Sequence, residues 1–397
     1  MGYRGTFPLS VHPSRGLMDE KFIVQVQKVL PGCQLTVHAL HQCEDRNSWE
    51  AFGHYTTDAS GTVNGTCFTG YQSGWDILWA QNPLSLSELI ISSPFRLRKK
   101  NVQTPMEVTI SVYQGHQTEG FVDQVPLASV LVERWYMAPG VRRIPVTEEG
   151  LTATLFLPAG PGPFPGILDL WGGGGQLVEY RAALLASHGF ASLALDYLTC
   201  KITLETGKMV DNQYFETAYR VLQQHPQVLG SRMAMLGFSL GTSFTFKMAV
   251  YSQVMKVRQL QLKLTFIFFV FVKSEKLFVS EQMGRLQCPL LLVVGEDDQS
   301  WPASEAAKDI KEMMERAGNS HLLTILSYPK TGHLIEPPYI PHARASIFRT
   351  IGTREKLMLL WGGQTVEHSH AQEDAWMKIL VFLRENLYGG TNPGATL

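Results

Sequence analysis

The chain has 397 residues, which is enough for two or three domains of ordinary size. Its apolar fraction of 45% is typical of globular proteins, so sizeable hydrophobic cores can form without disulfides or metals. The formal net charge of -1 argues against a surface whose main task is to bind nucleic acid.

The cysteines and the two termini bear on the location of the protein. The 5 cysteines are scattered and form no Cys-x-x-Cys pair, which favours reduced thiols over a disulfide framework. The N-terminus has no apolar stretch of the secretory type, and the C-terminus, Ala395-Thr-Leu397, is not the Ser-Lys-Leu peroxisomal signal. We expect a cytoplasmic protein that is a monomer or a weak oligomer.

The first third of the chain, to about Arg134, has the pattern of short β-strands. Apolar and polar residues alternate between turns rich in Pro, Gly, Asn and Asp, which is typical of strands with one buried face. The predicted strands are Lys21–Val26, Gln34–Leu40, Glu107–Tyr113 and Ala128–Val132. Several short strands at this spacing predict an antiparallel β-sandwich, which we assign to residues 1–138.

A different pattern begins after the segment Met137-Ala-Pro-Gly-Val-Arg-Arg143. Strands, glycine loops and helices alternate here, as in Gly166–Trp171, Gly172–Gly175 and Tyr180–His188, and a further helix is predicted at Asn212–Gln224. Such an alternation predicts an α/β fold, a mostly parallel doubly wound sheet with helices on both faces. We assign residues 139–397 to this second domain.

The centre of the second domain is the pentapeptide Gly237-Phe-Ser239-Leu-Gly241. The apolar run Met233–Leu236 predicts a buried strand before it, and a helical pattern follows Gly241. Gly-x-Ser-x-Gly between a strand and a helix is the pattern of a nucleophile elbow, a sharp turn that lifts the serine hydroxyl above the sheet. We therefore predict that Ser239 is a nucleophile.

Two further residues complete a set suited to acyl transfer. A serine needs a base to take its proton, and the base needs a carboxylate to orient it. In hydrolases built on doubly wound sheets the chain order is Ser, acid, His, each after a strand. Ser239, Asp298 and His333 follow that order, and Asp297 is the alternative acid.

Backbone N–H groups near the serine are candidates for binding an oxyanion. The helix that starts after Ser239 leaves N–H groups without partners in its first turn, and we assign that of Leu240 to the oxyanion hole. A second donor is expected from the glycine run 172–175, with Gly173 and Gly174 as the candidates. The run is not G-x-G-x-x-G followed by a ribose-binding acid, so no dinucleotide site is predicted.

The apolar run Leu262–Val272 could be mistaken for a membrane span. It is about half the ~20 residues that a spanning helix needs, and Lys263 and Lys273 bracket its core. Its β-branched and aromatic residues favour a buried sheet strand.

Other charged and histidine-containing segments have ordinary interpretations. His368-Ser-His370 could bind a metal, but without a further ligand we predict surface side chains near a last helix that begins at Ser369. The pair Arg142-Arg143 and the run Arg96–Lys100 could contact a phosphorylated substrate, but a solvated face is the favoured interpretation. We expect no metal and no cofactor.

Eight passages along the chain carry a family resemblance. They are Asn101–Pro105, Trp135–Arg143, Ala153–Pro158, Glu179–Ala182, Gly295–Trp301, Tyr328–Tyr339, Trp361–Gly363 and His370–Trp376. On these passages the chain resembles the acyl-CoA thioesterase and bile acid-CoA:amino acid N-acyltransferase family. The resemblance covers nearly the whole chain. It implies an N-terminal immunoglobulin-like sandwich, a C-terminal α/β-hydrolase domain, the triad Ser239, Asp298 and His333, and acyl-coenzyme A as substrate.

One stretch, residues 254–280, departs from the family pattern. Ser239 and Asp298 are only 59 positions apart (298 − 239), fewer than the family pattern has. The family implies a sheet strand and a cap that shapes the acyl pocket, whereas this chain has a run rich in lysine and phenylalanine. The acyl chain length of the substrate therefore stays open.

Three functions are compatible with these residues. Hydrolysis of acyl-CoA thioesters is favoured, because bile-acid-conjugating members of the family tend to carry Cys in the elbow, where this chain has Ser239. The alternatives are an N-acyltransferase that passes the acyl group to glycine or taurine, and a variant impaired by its disrupted cap region. The resemblance also makes the peroxisome and the mitochondrion alternatives to the cytoplasm.

Overall fold

The chain forms two compact units in a computed structural model. The described residues are 8–44, 48–64, 96–174, 176–252, 263–269, 286–349 and 355–389, with backbone alone at 64 and 263–269. The first unit comprises Met1–Tyr136 and Pro338–His342, and the second comprises Met137–Pro337 and Ala343–Leu397. The division into domains at 1–138 and 139–397 stays a prediction.

The described part of the first unit consists mainly of β-strands. They are β1 (Leu9–His12), β2 (Arg15–Leu17), β3 (Ile23–Val26), β4 (Gln34–Gln42), β5 (Ser48–Thr56), β6 (Val63–Asn64), β7 (Met106–Gln114) and β8 (Ala128–Trp135), with a 3-10 turn at Phe121–Asp123. One sheet has the order β2-β8-β7-β4-β5 and the other the order β1-β3-β6. All neighbours pair antiparallel except β2 and β8. An immunoglobulin-like arrangement of the two sheets stays a prediction.

The second unit is built on a sheet of eight strands. They are β9 (Arg142–Val146), β10 (Ala153–Leu157), β11 (Phe164–Leu170), β12 (Ala191–Leu195), β13 (Val228–Phe238), β14 (Lys263–Phe269), β15 (Leu290–Gly295) and β16 (Leu323–Tyr328). Their order is β16-β15-β14-β13-β11-β12-β10-β9, parallel from β16 to β12 and antiparallel at β10 and β9. Every residue of β10, β12 and β15 is buried, because helices cover both faces. The predicted doubly wound α/β fold is confirmed.

The described helices of this unit alternate with the strands. They are α1 (Tyr180–Ser187), α2 (Lys201–Thr206), α3 (Asn212–Gln224), α4 (Leu240–Tyr251), α5 (Ala303–Arg316) and α6 (Thr365–Leu383), with a π-helical turn at Arg384–Tyr388 and 3-10 turns at Glu148–Gly150 and Ser320–Leu322. None of the described helices is long and apolar enough to cross a membrane.

The described part of the apolar run that could be mistaken for a membrane span, Lys263–Phe269, is a sheet strand, as predicted. β14 pairs in parallel with β13 on one side and with β15 on the other. The stretch that departs from the family pattern therefore still supplies a strand to the middle of the sheet. The rest of residues 254–280 lies outside the described residues.

The start of α6 differs from the prediction. The helix begins at Thr365, four positions before Ser369, because the N–H of His368 already bonds to Gln364 O at 2.8 Å. The earlier start brings His368 onto the buried side of the helix.

A separate pair of strands lies between β16 and α6. β17 (Ala345–Arg349) and β18 (Lys356–Leu360) pair antiparallel with each other. The sequence patterns did not predict this β17–β18 pair.

Candidate active site

The sharp turn between a strand and a helix that was predicted at Ser239 is formed. β13 ends at Phe238, α4 begins at Leu240, and Ser239 between them has φ 51 and ψ -123. A positive φ at a residue other than glycine stores backbone strain of roughly 1–3 kcal/mol and is common at functional sites. The turn places Ser239 at the junction between the end of β13 and the start of α4.

The glycines around Ser239 are required by close packing. A β-carbon on Gly237 would lie 2.7 Å from Thr242 Cα, and one on Gly241 would overlap Leu170 O. A β-carbon on Gly172 would lie 2.8 Å from Ser239 Cβ. These positions must be glycine because the strand, the helix and the glycine run meet here without room for side chains.

His333 lies between Ser239 and Asp298. Its Nε2 is 2.8 Å from Ser239 Oγ, and its Nδ1 is 2.7 Å from Asp298 Oδ2. In the neutral tautomer with the proton on Nδ1, His333 donates to the carboxylate and accepts from the serine hydroxyl. The ring is buried and stacks on Trp361, with 5.5 Å between the ring centroids and 20° between the planes.

The structure distinguishes between the two candidate acids by their partners. Asp298 Oδ1 accepts the N–H groups of Ser300 and Trp301, both at 2.9 Å, which leaves Oδ2 for His333. Asp297 Oδ2 instead accepts the N–H of Gly363 at 2.8 Å. Only Asp298 of this pair has a hydrogen bond to His333 among the described contacts.

His368 is a residue near the site that the sequence analysis misjudged. It was predicted on the surface, but it is fully buried, and that prediction is wrong. Its Nε2 donates to Leu334 O at 2.8 Å, and its Nδ1 accepts the N–H of Gly332 at 3.1 Å. These two bonds hold the residues on both sides of His333. No sequence signal marked its burial, because its two partners lie 36 and 34 positions away along the chain.

The glycine run follows β11 and passes beside Ser239. Gly172 is in close contact with the serine, Gly173 lies against Phe348 of β17, and Gly174 has φ 119. Leu240 is the first residue of α4, so its N–H belongs to the helix start. The assignment of Leu240, Gly173 and Gly174 to an oxyanion hole stays a prediction. Gly175 lies outside the described residues.

A buried ion pair lies at the base of the glycine run. Arg181 Nε donates to Asp169 Oδ1 at 2.9 Å, and its guanidinium stacks over Trp171 at 4.6 Å and Phe238 at 5.6 Å. Burial raises the pKa of Asp169, and the charge of Arg181 opposes that rise. Because Asp169 is on β11, Arg181 on α1 and Phe238 next to the serine, the pair links three elements that meet at the elbow.

The basic segments considered for phosphate binding have partners within the protein. Arg143 donates to both carboxylate oxygens of Glu179 at 2.9 and 2.6 Å, and the same hydrogen bonds raise its pKa. Lys99 donates to Glu44 at 2.7 Å and to Thr104 at 2.9 Å. The favoured prediction of a merely solvated face is therefore wrong for Arg143 and Lys99.

Metal ligands were not expected, and the described residues contain no group of three or more His, Cys, Asp or Glu side chains placed to hold an ion. His370 is exposed on α6, so it does not share the environment of His368.

Comparisons with known proteins identify the family. A family model described as "Acyl-CoA thioester hydrolase/BAAT N-terminal region" matches residues 19–148, and "BAAT / Acyl-CoA thioester hydrolase C terminal" matches residues 210–262 and 270–389. The peroxisomal succinyl-coenzyme A thioesterase of Mus musculus is 34% identical, over 98% of each chain. The chain belongs to the acyl-CoA thioester hydrolase/BAAT family.

Other known proteins resemble this member of the acyl-CoA thioester hydrolase/BAAT family. Acyl-coenzyme A thioesterase 1 of Rattus norvegicus is 33% identical over 98% of each chain. A solved α/β hydrolase, MGS-M1 from a deep-sea metagenome library, has a TM-score of 0.44 and 15% identity and covers 62% of this chain and 98% of its own.

The match to the acyl-CoA thioester hydrolase/BAAT family is interrupted at residues 263–269, within the stretch that departs from the pattern. The alignment with the succinyl-coenzyme A thioesterase extends over 432 residues, more than the 397 of this chain. That relative therefore has residues without a counterpart here.

Proposed function

We propose that this chain is an acyl-CoA thioesterase that works through an acyl-enzyme on Ser239. The observation that carries the proposal is that His333 is within hydrogen-bond distance of both Ser239 Oγ, at 2.8 Å, and Asp298 Oδ2, at 2.7 Å. Membership of a family of thioester hydrolases supplies the class of substrate.

The proposed reaction has two steps. The hydroxyl of Ser239 attacks the thioester carbonyl while His333 Nε2 takes its proton, and the resulting oxyanion is bound by backbone N–H groups. His333 then gives the proton to the departing thiolate of coenzyme A. In the second step His333 activates a water molecule, which releases the fatty acid and restores Ser239.

Asp298 has an orienting role in this proposal. Its Oδ2 accepts the proton-bearing Nδ1 of His333, while two backbone N–H groups hold its Oδ1. The carboxylate keeps the imidazole in the tautomer that can accept from Ser239, and it stabilises the imidazolium that forms during each step.

The experiment that tests the proposal is the release of free thiol from a panel of acyl-CoAs, with and without taurine. Ser239→Ala is compared with the unchanged protein after circular dichroism has shown that both are folded. We expect thiol and fatty acid from the unchanged protein and a loss of at least about 10³-fold in the variant. An acyl-taurine product would support an N-acyltransferase instead. No release by the folded, unchanged protein would support an impaired variant.

We also propose that the protein is cytoplasmic and is a monomer or a weak oligomer. The four described cysteines Cys33, Cys43, Cys200 and Cys288 form no disulfide, which suits a reducing compartment. Relatives from Mus musculus are named as peroxisomal and as mitochondrial, so cell fractionation has to compare all three locations. Recovery in an organelle fraction would contradict the cytoplasmic location. Size-exclusion chromatography tests the oligomeric state.

A further inference from the structure

The β17–β18 pair exposes large apolar side chains. The exposed fractions of Leu357, Met358 and Leu360 are 46%, 48% and 53%. Leu357 lies on one face of the pair and Met358 and Leu360 lie on the other, so each face presents apolar surface that can bind something apolar. The pair lies in the same unit as Ser239, so its attachment to the site can be followed through the described contacts.

The base of the β17–β18 pair is bonded to the residues around His333. Trp361 directly follows β18, stacks on the His333 ring, and accepts the backbone N–H of His333 at 2.8 Å. The indole Nε1 of Trp361 donates to Ser346 Oγ on β17 at 2.8 Å. Both strands of the pair are thereby held at a fixed position next to the base of the proposed reaction.

The two faces of the pair differ in what they contact. Opposite residues of antiparallel strands project to the same face, so Phe348 shares a face with Leu357, and Ile347 shares the other with Met358. Phe348 packs on the glycine run, since a β-carbon on Gly173 would lie 3.1 Å from its Cζ. The Phe348 face therefore begins beside the glycine run, in which Gly172, the neighbour of Gly173, adjoins Ser239.

We propose that Phe348 and Leu357 form a platform for the acyl chain of the substrate, which makes the β17–β18 pair the element that selects apolar acyl groups. This inference rests on the proposed function, because the reacting carbonyl must lie at Ser239. The acyl chain extends from that carbonyl, and it is the apolar part of an acyl-CoA. The phosphates and amides of coenzyme A, which adjoin or flank the thioester arm, are charged or polar and would gain little from an apolar platform.

The platform predicts how affinity depends on acyl length. Each methylene that leaves water contributes a factor of about four to binding. A long acyl chain should therefore bind much more tightly than a short one, and a polar side chain in place of Leu357 should remove part of that gain. A short acyl group does not extend over Leu357, so the affinity for a short acyl-CoA should not change when Leu357 is replaced.

The test compares Leu357→Gln with Met358→Gln, because these neighbours have almost equal exposure on opposite faces. Dissociation constants are measured for two non-hydrolysable thioethers, dodecyl-CoA and butyl-CoA, so the binding measurement does not require turnover. We expect Leu357→Gln to raise the dissociation constant of dodecyl-CoA about tenfold and to change that of butyl-CoA by no more than about twofold. Met358→Gln should change neither by more than about twofold. Thermal unfolding shows that both variants are folded.

Several outcomes would overturn the platform. One is that both variants weaken the binding of dodecyl-CoA equally, and another is that Leu357→Gln does not weaken it. The others are that Leu357→Gln weakens the binding of both thioethers equally, and that the unchanged protein does not bind dodecyl-CoA. If both variants weakened the binding of dodecyl-CoA equally and also bound anionic vesicles less tightly, the β17–β18 pair would be assigned to a lipid surface. Selective weakening in Leu357→Gln, without thiol release from dodecanoyl-CoA by the unchanged protein, would support the platform and contradict the proposed function.

Discussion

Asp297 and Asp298 are neighbours in sequence, but their carboxylates have different partners. Asp298→Asn should lower kcat by about 10³- to 10⁴-fold, because the amide favours the wrong tautomer of His333. Asp297→Asn is the matched control, since it changes a hydrogen bond to Gly363 and not one to His333. Thiol release by the two variants measures the difference. A larger loss in the Asp297 variant would reassign the acid.

His368 and His370 form a second matched pair on α6, one buried and one exposed. His368→Leu would leave the N–H of Gly332 without its present acceptor, whereas the carbonyl of Leu334 would keep the N–H of Glu336 at 2.9 Å. The loss at Gly332 costs about 1–3 kcal/mol, so we expect a clearly lower urea midpoint and reduced kcat. His370→Leu should stay within about 0.5 kcal/mol. Equal midpoints would show that the His368 bonds do not stabilise the loop.

The cysteines should differ in reactivity. Burial raises the pKa of the Cys288 thiol to about 12, so only about 10⁻⁴ of it is thiolate at pH 8. Cys33 is partly exposed and should be alkylated by iodoacetamide in the native protein, while Cys288 should react only after unfolding. Mass spectrometry of the peptides distinguishes the two. Native labelling of Cys288 would show that this part of the core opens readily.

At the scale of elements, the elbow depends on how closely β11 and α4 approach. Gly241→Ala would drive a β-carbon into Leu170 O and to within 2.7 Å of Trp171 O. We expect the helix to shift and kcat to fall at least about 10²-fold, since small misplacements of a nucleophile are costly. Gly207→Ala is the control: its φ of +66 is strained, but nothing lies within 4 Å. It should cost about 1 kcal/mol and leave kcat unchanged. An active Gly241 variant would contradict this account.

Elements with strong local signals could be predicted from sequence. α3 has the predicted bounds, Asn212–Gln224, because Asp211 caps it and its apolar residues follow the helical period. The start of α6 could not be predicted from the capping pattern at Ser369, because the contacts of His368 with the 332–334 loop are distant in sequence. The β17–β18 pair could not be predicted either, because its exposed leucines give no alternation between a buried and a polar face.

The candidate site also combines residues that the sequence predicts with contacts that it does not. The motif and the chain order predict Ser239, Asp298 and His333, since each follows a strand of the parallel sheet. The choice between Asp297 and Asp298 depended on a hydrogen bond, which no pattern of residues contains. Arg181 and Asp169 are also distant contacts, and their burial becomes visible only when β11 and α1 are packed together.

At the scale of the whole molecule, β14 separates the two halves of the eight-stranded sheet. Ser239 follows β13 on one side of it, whereas Asp298 and His333 follow β15 and β16 on the other. The hydrogen bonds among these three residues therefore depend on a strand that comes from the stretch without a family match. A sheet interrupted at β14 would leave the serine and the histidine on separate pieces.

This dependence can be tested at Ile267, whose backbone is in register with Leu236 on β13 and with Leu291 on β15. Ile267→Pro removes an N–H from the middle of a central strand, where proline is essentially excluded. We expect thiol release and labelling of Ser239 by a fluorophosphonate to be lost together, with faster hydrogen exchange in β13 and β15. Ile267→Val keeps the N–H and a β-branched side chain, so it should retain both activities. If the proline variant kept its turnover, the serine and the histidine would have to be held together by contacts other than those of β14.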